Sequence, residues 1–195
     1  MDCGQFVQIA RLYVQRKLIP DDKAFDEWAT PDLTLRTHAP EEFRYALFTR
    51  AHDDGIPLDR WETQPSGRMD VLSEKRMLAS APAGSRVRWT SSWTKQAAKL
   101  GESALPNVSQ FNWYAFQNEN AIKIGPDRYA AHGLGTVSAK QLITDMVDAT
   151  RQALGAMAPL ANNMKGGPDL PANPSDDEIK ERIFVDNVEY YRWKG

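Results

Sequence analysis

The chain has few of the compositional features that most often indicate a function. One cysteine among 195 residues excludes an internal disulfide and a multi-cysteine zinc site. The 24 basic and 26 acidic residues leave a net charge of −2, which argues against a dedicated nucleic-acid binder. No apolar run approaches the roughly 18 residues of a membrane span, and no apolar signal region opens the chain. We therefore expect a soluble protein, located in the cytoplasm or secreted by a non-classical route.

What is present is a change of pattern along the chain. Apolar residues at three- and four-residue spacings predict helices over 4–18, 21–29, 40–55 and 72–79. After Pro82 the pattern predicts a turn into a strand over 83–89 and further strands over 111–116, 120–124 and 128–131. A turn at Pro126 and Asp127 would join the last two. Helices followed by strands and another helix indicate an α+β fold.

The C-terminal third starts with a helix and ends with an apolar segment. Ser138 and Gln141 have the spacing of a capping box, which predicts a helix that stops at Gly155. Residues 156–177 contain glycines, prolines and few large apolar groups, so we expect a flexible linker there. Residues 178–195 are rich in aromatic and β-branched side chains, and we expect this tail to dock on the rest of the chain.

Cys3 is the candidate nucleophile. It directly precedes the first predicted helix, whose N-terminus carries unpaired N–H groups and a partial positive charge that favour a thiolate. The alternative is a small buried residue with no chemical role. A cysteine nucleophile also needs a base. The three histidines offer His132 in a glycine-rich stretch, while His38 lies in a predicted loop and His52 near a predicted helix end.

Glu119 lies thirteen residues before His132, at the start of the preceding strand. A hairpin turning at 126–127 would place the two opposite each other, so that the carboxylate orients the imidazole. The alternative is a solvated acid at a strand end and a histidine that is satisfied within its loop. The spacing alone leaves both interpretations open.

The segment 119–135, which reads ENAIKIGPDRYAAHGLG, together with KQLI at 140–143, closely resembles the Glu–His region of the Bacillus spore-coat protein-glutamine γ-glutamyltransferases. The start DCGQFV at 2–7 is similar to the cysteine helix of that family and of the NlpC/P60 peptidases. The resemblance implies a papain-like catalytic domain over 1–155, in which 20–80 is a helical insertion. It departs from the family at Asp2, where a glutamate is expected, and in lacking the region before the cysteine, so the chain could be a fragment.

The resemblance implies a transglutaminase or glutamine deamidase. Cys3 would attack a glutamine side chain, His132 would move protons, and Glu119 would orient the imidazole. A lysine amine would resolve the thioester to an isopeptide crosslink, and water would resolve it to glutamate. Trp113 and Tyr114, with Asp2, are the candidate substrate-binding residues, and Trp89 and Trp93 are weaker candidates for the same channel wall. The expected partners are proteins bearing glutamine and lysine, and no metal or organic cofactor is required.

Three other functions remain open from the sequence. A related amidase or peptidase would share the cysteine and histidine but use water. A toxin-type effector domain would fit a chain without the front region, and it would have a cognate inhibitor protein as partner. A degenerate binding module would keep the fold without the chemistry.

Overall fold

The computed structural model describes residues 3–23, 25, 58–65, 67–97 and 118–193. The chain order of elements is helix α1, strand β1, helix α2, strand β2, helix α3, strands β3, β4 and β5, helices α4 and α5, and strand β6. Their bounds are Cys3–Leu18 (α1), Leu58–Thr63 (β1), Val71–Ser80 (α2), Arg86–Ser91 (β2), Ser92–Ala97 (α3), Asn118–Gly125 (β3), Arg128–Ala131 (β4), Gly135–Val137 (β5), Ala139–Asn163 (α4), Asp176–Lys180 (α5) and Ile183–Trp193 (β6).

The strands form one six-stranded sheet in the order β1-β6-β2-β3-β4-β5, with every described pairing antiparallel. The sheet and its helices confirm the α+β fold class. The C-terminal strand β6 lies between β1 and β2, second from the β1 edge of the sheet, so it pairs with two strands from the first half of the chain. The tail that the sequence predicts to dock therefore does so as a full strand of the sheet.

Different helices pack on the two faces of the sheet. Alternate residues of a strand point to opposite faces, and the face bearing Ala121 packs against α4 in the main core. That core contains Val87, Trp89, Ala121, Tyr129, Ala131, Leu142, Met146, Leu154, Met157 and Val185. The other face contacts α1, whose end packs with Ile19, Leu58 and Tyr191 in a second, smaller cluster. The sheet thus separates an α1 side from an α4 side.

Helix α4 begins where the sequence predicts and runs further than predicted. Ser138 is its N-cap, and the serine hydroxyl accepts a hydrogen bond from the Gln141 backbone N–H at 3.1 Å. The predicted stop at Gly155 is wrong: the helix continues to Asn163, because alanines and Met157 keep its buried stripe unbroken. The expected linker 156–177 is correspondingly a helix end followed by a segment that Leu170 anchors in the core.

The segment 20–80, expected to be a helical insertion, also contains a strand. Strand β1 pairs with β6 from Leu58 to Thr63, and α2 near the end of the segment is a helix that the sequence predicts. Of the helix predicted over 21–29, the described residues Asp22, Lys23 and Phe25 are helical. The helix predicted over 40–55 and the strand over 111–116 lie outside the described residues, as do His38 and His52. Within the described part of the chain, no helix has the length and apolar character needed to cross a membrane.

Candidate active site

Cys3 is the first residue of α1, a helix of 16 residues. No acidic side chain lies in the first turn of this helix, and Arg16 and Lys17 lie in its last turn. The backbone of Cys3 therefore lies at the positive end of the α1 dipole.

His132 lies beside the first turns of α1. Its ring centroid is 6.1 Å from that of Phe6, with the two rings tilted by 41°. Phe6 is three residues after Cys3, so the two positions lie on the same side of the helix, one turn apart. The structure thereby brings His132 to the part of α1 that begins with Cys3.

The local backbone explains how His132 reaches this place. Strand β4 ends at Ala131, and His132 starts the turn that leads to β5. Gly133 and Gly135 adopt φ of +79° and +74°, which L side chains rarely adopt, and an added Cβ at either would meet nothing within 4 Å. The role of these two glycines is therefore the conformation of the turn.

Glu119 is buried on the other face of the sheet. Its side chain is 7% exposed and shares the α4 side with Ala121, and it lies opposite Trp89 in the pairing of β2 with β3. Burial raises the pKa of Glu119 from 4.5 to about 7; the Asn120 backbone N–H opposes the rise, and the negative charge of Asp145 on α4 adds to it. Its Oε1 atom is buried and has no hydrogen-bond partner in the part of the chain that the structure describes.

The predicted pair of Glu119 and His132 is close in the sheet but is not joined. Extending the pairing of Ala121 with Ala131 by one residue places position 132 opposite Asn120, which faces α1. Among the described residues, no hydrogen bond connects the Glu119 carboxyl to the His132 ring. The orienting role of Glu119 stays a prediction without a contact to support it.

A buried ionic network that the sequence analysis missed fixes α1 to the sheet. Glu189 of β6 is 2% exposed, and its Oε1 lies 2.6 Å from Arg11 Nη2 and 3.0 Å from Arg60 Nε. Its Oε2 lies 3.5 Å from Arg86 Nη1, and the Tyr191 hydroxyl donates to Oε1 at 3.1 Å. Arg11 also hydrogen-bonds the Tyr191 hydroxyl. The available signal was an acid, Glu189, between apolar and aromatic residues of β6.

Of the remaining candidate site residues, two lie in the core and the others lie outside the described residues. Trp89 is fully buried and makes an edge contact with Tyr129 at 5.1 Å between centroids, and Trp93 is 6% exposed in the same core. Both are core residues, so the suggestion that they wall a substrate channel is wrong. Asp2, Trp113 and Tyr114 lie outside the described residues. No cluster of three or more potential metal ligands occurs where the structure describes the chain.

No protein-family model, curated protein or solved structure matches this chain.

Proposed function

We propose that the chain is a cysteine-dependent acyltransferase that acts on glutamine side chains of proteins. Cys3 is the nucleophile and His132 is the general acid and base. The observation that carries the proposal is the contact of the His132 ring with Phe6, one turn beyond Cys3 on α1. The resemblance of 119–135 to the spore-coat transglutaminases supplies the substrate class, and a papain-like arrangement of helix and sheet is part of the same proposal.

The reaction needs one thiolate and one proton carrier. The thiolate attacks the γ-carboxamide carbon of glutamine, and the C–N bond breaks as imidazolium gives its proton to the departing ammonia. The acyl group is then held as a thioester. A lysine amine attacks the thioester, gives its proton to the imidazole and expels the thiolate, which leaves an isopeptide bond. Attack by water leaves glutamate instead.

Glu119 contributes less to this mechanism than Cys3 and His132 do. A buried carboxyl that faces α4 and has a raised pKa is not placed to hold the imidazole by a direct hydrogen bond. We expect removal of its charge to slow the reaction far less than removal of the His132 ring. The helix start supplies backbone N–H groups that suit an oxyanion.

The test measures ammonia release from a glutamine-rich protein and incorporation of a labelled primary amine. Cys3→Ala and His132→Ala should each lower both rates by about a thousandfold or more, while Glu119→Gln should stay within about tenfold of wild type. Phe6→Leu is the matched control for disturbed packing beside His132, and urea unfolding of every variant checks the fold. Full turnover by Cys3→Ala rules the mechanism out.

The same assay separates transfer from hydrolysis. Ammonia release without amine incorporation at high amine concentration would identify a deamidase or an amidase of the NlpC/P60 kind. A thiol that resists mild alkylation, together with no turnover, would instead favour the binding module.

A further inference from the structure

A cavity of about 980 Å³ lies on the α4 side of the sheet. It opens between α2 and α4, above the end of the β3–β4 hairpin. Val71 and Leu78 of α2 form one wall, Ile143 of α4 forms the opposite wall, and Tyr129 contributes to the floor. The volume is that of small-molecule sites in proteins, about 300–1,000 Å³. The cavity is separate from the Cys3–His132 site, which lies on the α1 side.

Positive charge collects around this cavity in a chain whose net charge is −2. Five of the described lining residues are cationic: Arg68, Lys75, Lys123, Lys140 and Lys180. Lys180 is paired with Asp177 at 3.3 Å, which leaves four cations against the two carboxylates among the described lining residues, Glu74 and Asp127. These carboxylates already accept hydrogen bonds from the backbone N–H groups of Val185 and Ala139, each at 3.0 Å. The cavity is therefore apolar in its walls and has an excess of cationic groups at its edges.

Lys123 places a cation inside the cavity lining. The residue is 6% exposed, and its ammonium donates to the carbonyl oxygens of Leu78, Ala79 and Ala81 at 2.5, 3.3 and 2.6 Å. No carboxylate of the described chain lies within salt-bridge distance of it. The three N–H groups of the Lys123 ammonium are thus hydrogen-bonded at the end of α2, and no described carboxylate pairs with its positive charge.

Two cations at the opening are free to meet a ligand. Lys75 lies on the α2 wall and Lys140 in the first turn of α4, and both are exposed. Neither makes an ion pair with any residue that the structure describes. An anion between them would also be favoured by the positive end of the α4 dipole.

We propose that this cavity binds an amphiphile with one anionic head group and an alkyl body, the head lying between Lys75 and Lys140 and the body lying against Val71, Leu78 and Ile143. A carboxylate, sulfate or phosphate head satisfies the charge requirement. The apolar walls favour an alkyl chain over a polar metabolite, because burying polar groups there would leave them without partners. This site is independent of the acyltransferase chemistry proposed above.

The first experiment uses calorimetric titration with dodecanoate, below its micelle concentration, against the intact chain. Dodecanol and dodecyltrimethylammonium are the neutral and cationic probes of equal chain length. We expect saturable one-to-one binding of dodecanoate, at least about tenfold tighter than dodecanol, with no saturable binding of the cation. Dodecyl sulfate and dodecyl phosphate, which distinguish the possible head groups, should compete with dodecanoate.

The second experiment reverses the charges at the opening. The double variant Lys75→Glu with Lys140→Glu should weaken dodecanoate binding at least about tenfold and leave dodecanol binding unchanged. Glutamate suits both helix positions, so the fold should survive. The matched control, Lys17→Glu with Lys165→Glu, makes the same change of net charge at exposed residues outside the cavity and should bind like wild type.

A third variant tests the body of the site. Ile143→Trp fills the space between the walls and should abolish binding of dodecanoate and dodecanol alike. Three results would overturn the proposal: no saturable binding of any dodecyl anion, equal weakening in the control pair, or unchanged binding by Ile143→Trp. Binding of an acidic amphipathic peptide, with no binding of dodecyl anions, would replace the amphiphile with a protein partner.

Discussion

Replacing Glu119 by glutamine should change how stability depends on pH. The carboxyl is 7% exposed, lies opposite Trp89, faces the charge of Asp145 and has no partner for Oε1 among the described residues. The Asn120 backbone N–H favours the ionised form but does not offset the effect of burial, so ionisation is unfavourable in the folded state. Glutamine has nearly the shape of the protonated acid and cannot ionise.

The magnitude follows from the raised pKa. The folded-state pKa of Glu119 is about 7 and the unfolded value is 4.5. Between these values the folded chain keeps a proton that the unfolded chain has lost, so the free energy of unfolding falls as pH rises. The total loss is about 3 kcal/mol, reached above pH 7, at about 1.4 kcal/mol per unit of pKa difference. Below the unfolded pKa the carboxyl contributes no penalty.

The assay is urea unfolding at intervals from pH 4.5 to 8.5, for wild type and Glu119→Gln. The variant should match wild type near pH 4.5 and be more stable by about 3 kcal/mol at pH 8. Glu181→Gln, at an exposed acid, is the control and should follow the wild-type curve. Parallel curves for Glu119→Gln and wild type across this range would refute the assignment of a buried, uncompensated carboxyl.

Two further predictions concern the elements that hold the candidate site. Gly84→Ala should destabilise the chain by about 1–3 kcal/mol, because Gly84 has a φ of +89° and an added Cβ would lie 2.9 Å from Val14 Cγ1 of α1. The control is Gly155→Ala, where an added Cβ meets no described atom within 4 Å. In the same urea titration this control should be neutral or stabilising by about 0.5–1 kcal/mol. Ser138→Ala should cost about 1 kcal/mol by removing the N-cap of α4, while Ser138→Thr keeps most of that stability; equal losses in the two variants would contradict the capping role.

Local signals in the sequence were sufficient for the elements whose partners are near in the chain. The turn at 126–127 joins β3 and β4 as the spacing predicts, since the hairpin pairs residues only a few positions apart. The start of α4 was equally predictable, because its cap is a serine whose partner is three residues away. Helix α1 also ends before Pro20, as its periodicity and the proline indicate.

The elements that sequence reasoning missed depend on distant partners. Strand β1 is exposed along most of its length, so no alternation marks it. Its partner among the described strands is β6, which lies more than a hundred positions later. The role of Glu189 was hidden for the same reason, since its arginine partners come from α1, β1 and β2. Helix α4 exceeded its predicted length because packing on the sheet overrides the helix-breaking tendency of Gly155 and Pro159.

Contacts with distant parts of the chain position helix α1, which begins with the candidate nucleophile Cys3. Three contacts are spread along α1: Phe6 meets His132, Arg11 meets Glu189, and Val14 lies against Gly84. Together they determine where the helix sits along its axis and how it is rotated about that axis. The Arg11 contact comes from β6, the last described strand along the chain. A pair of groups that must meet within hydrogen-bond distance tolerates little displacement. Strand β6 therefore helps to hold α1 where Phe6 meets His132, and it contributes to the geometry of the proposed site although none of its residues is assigned a chemical role.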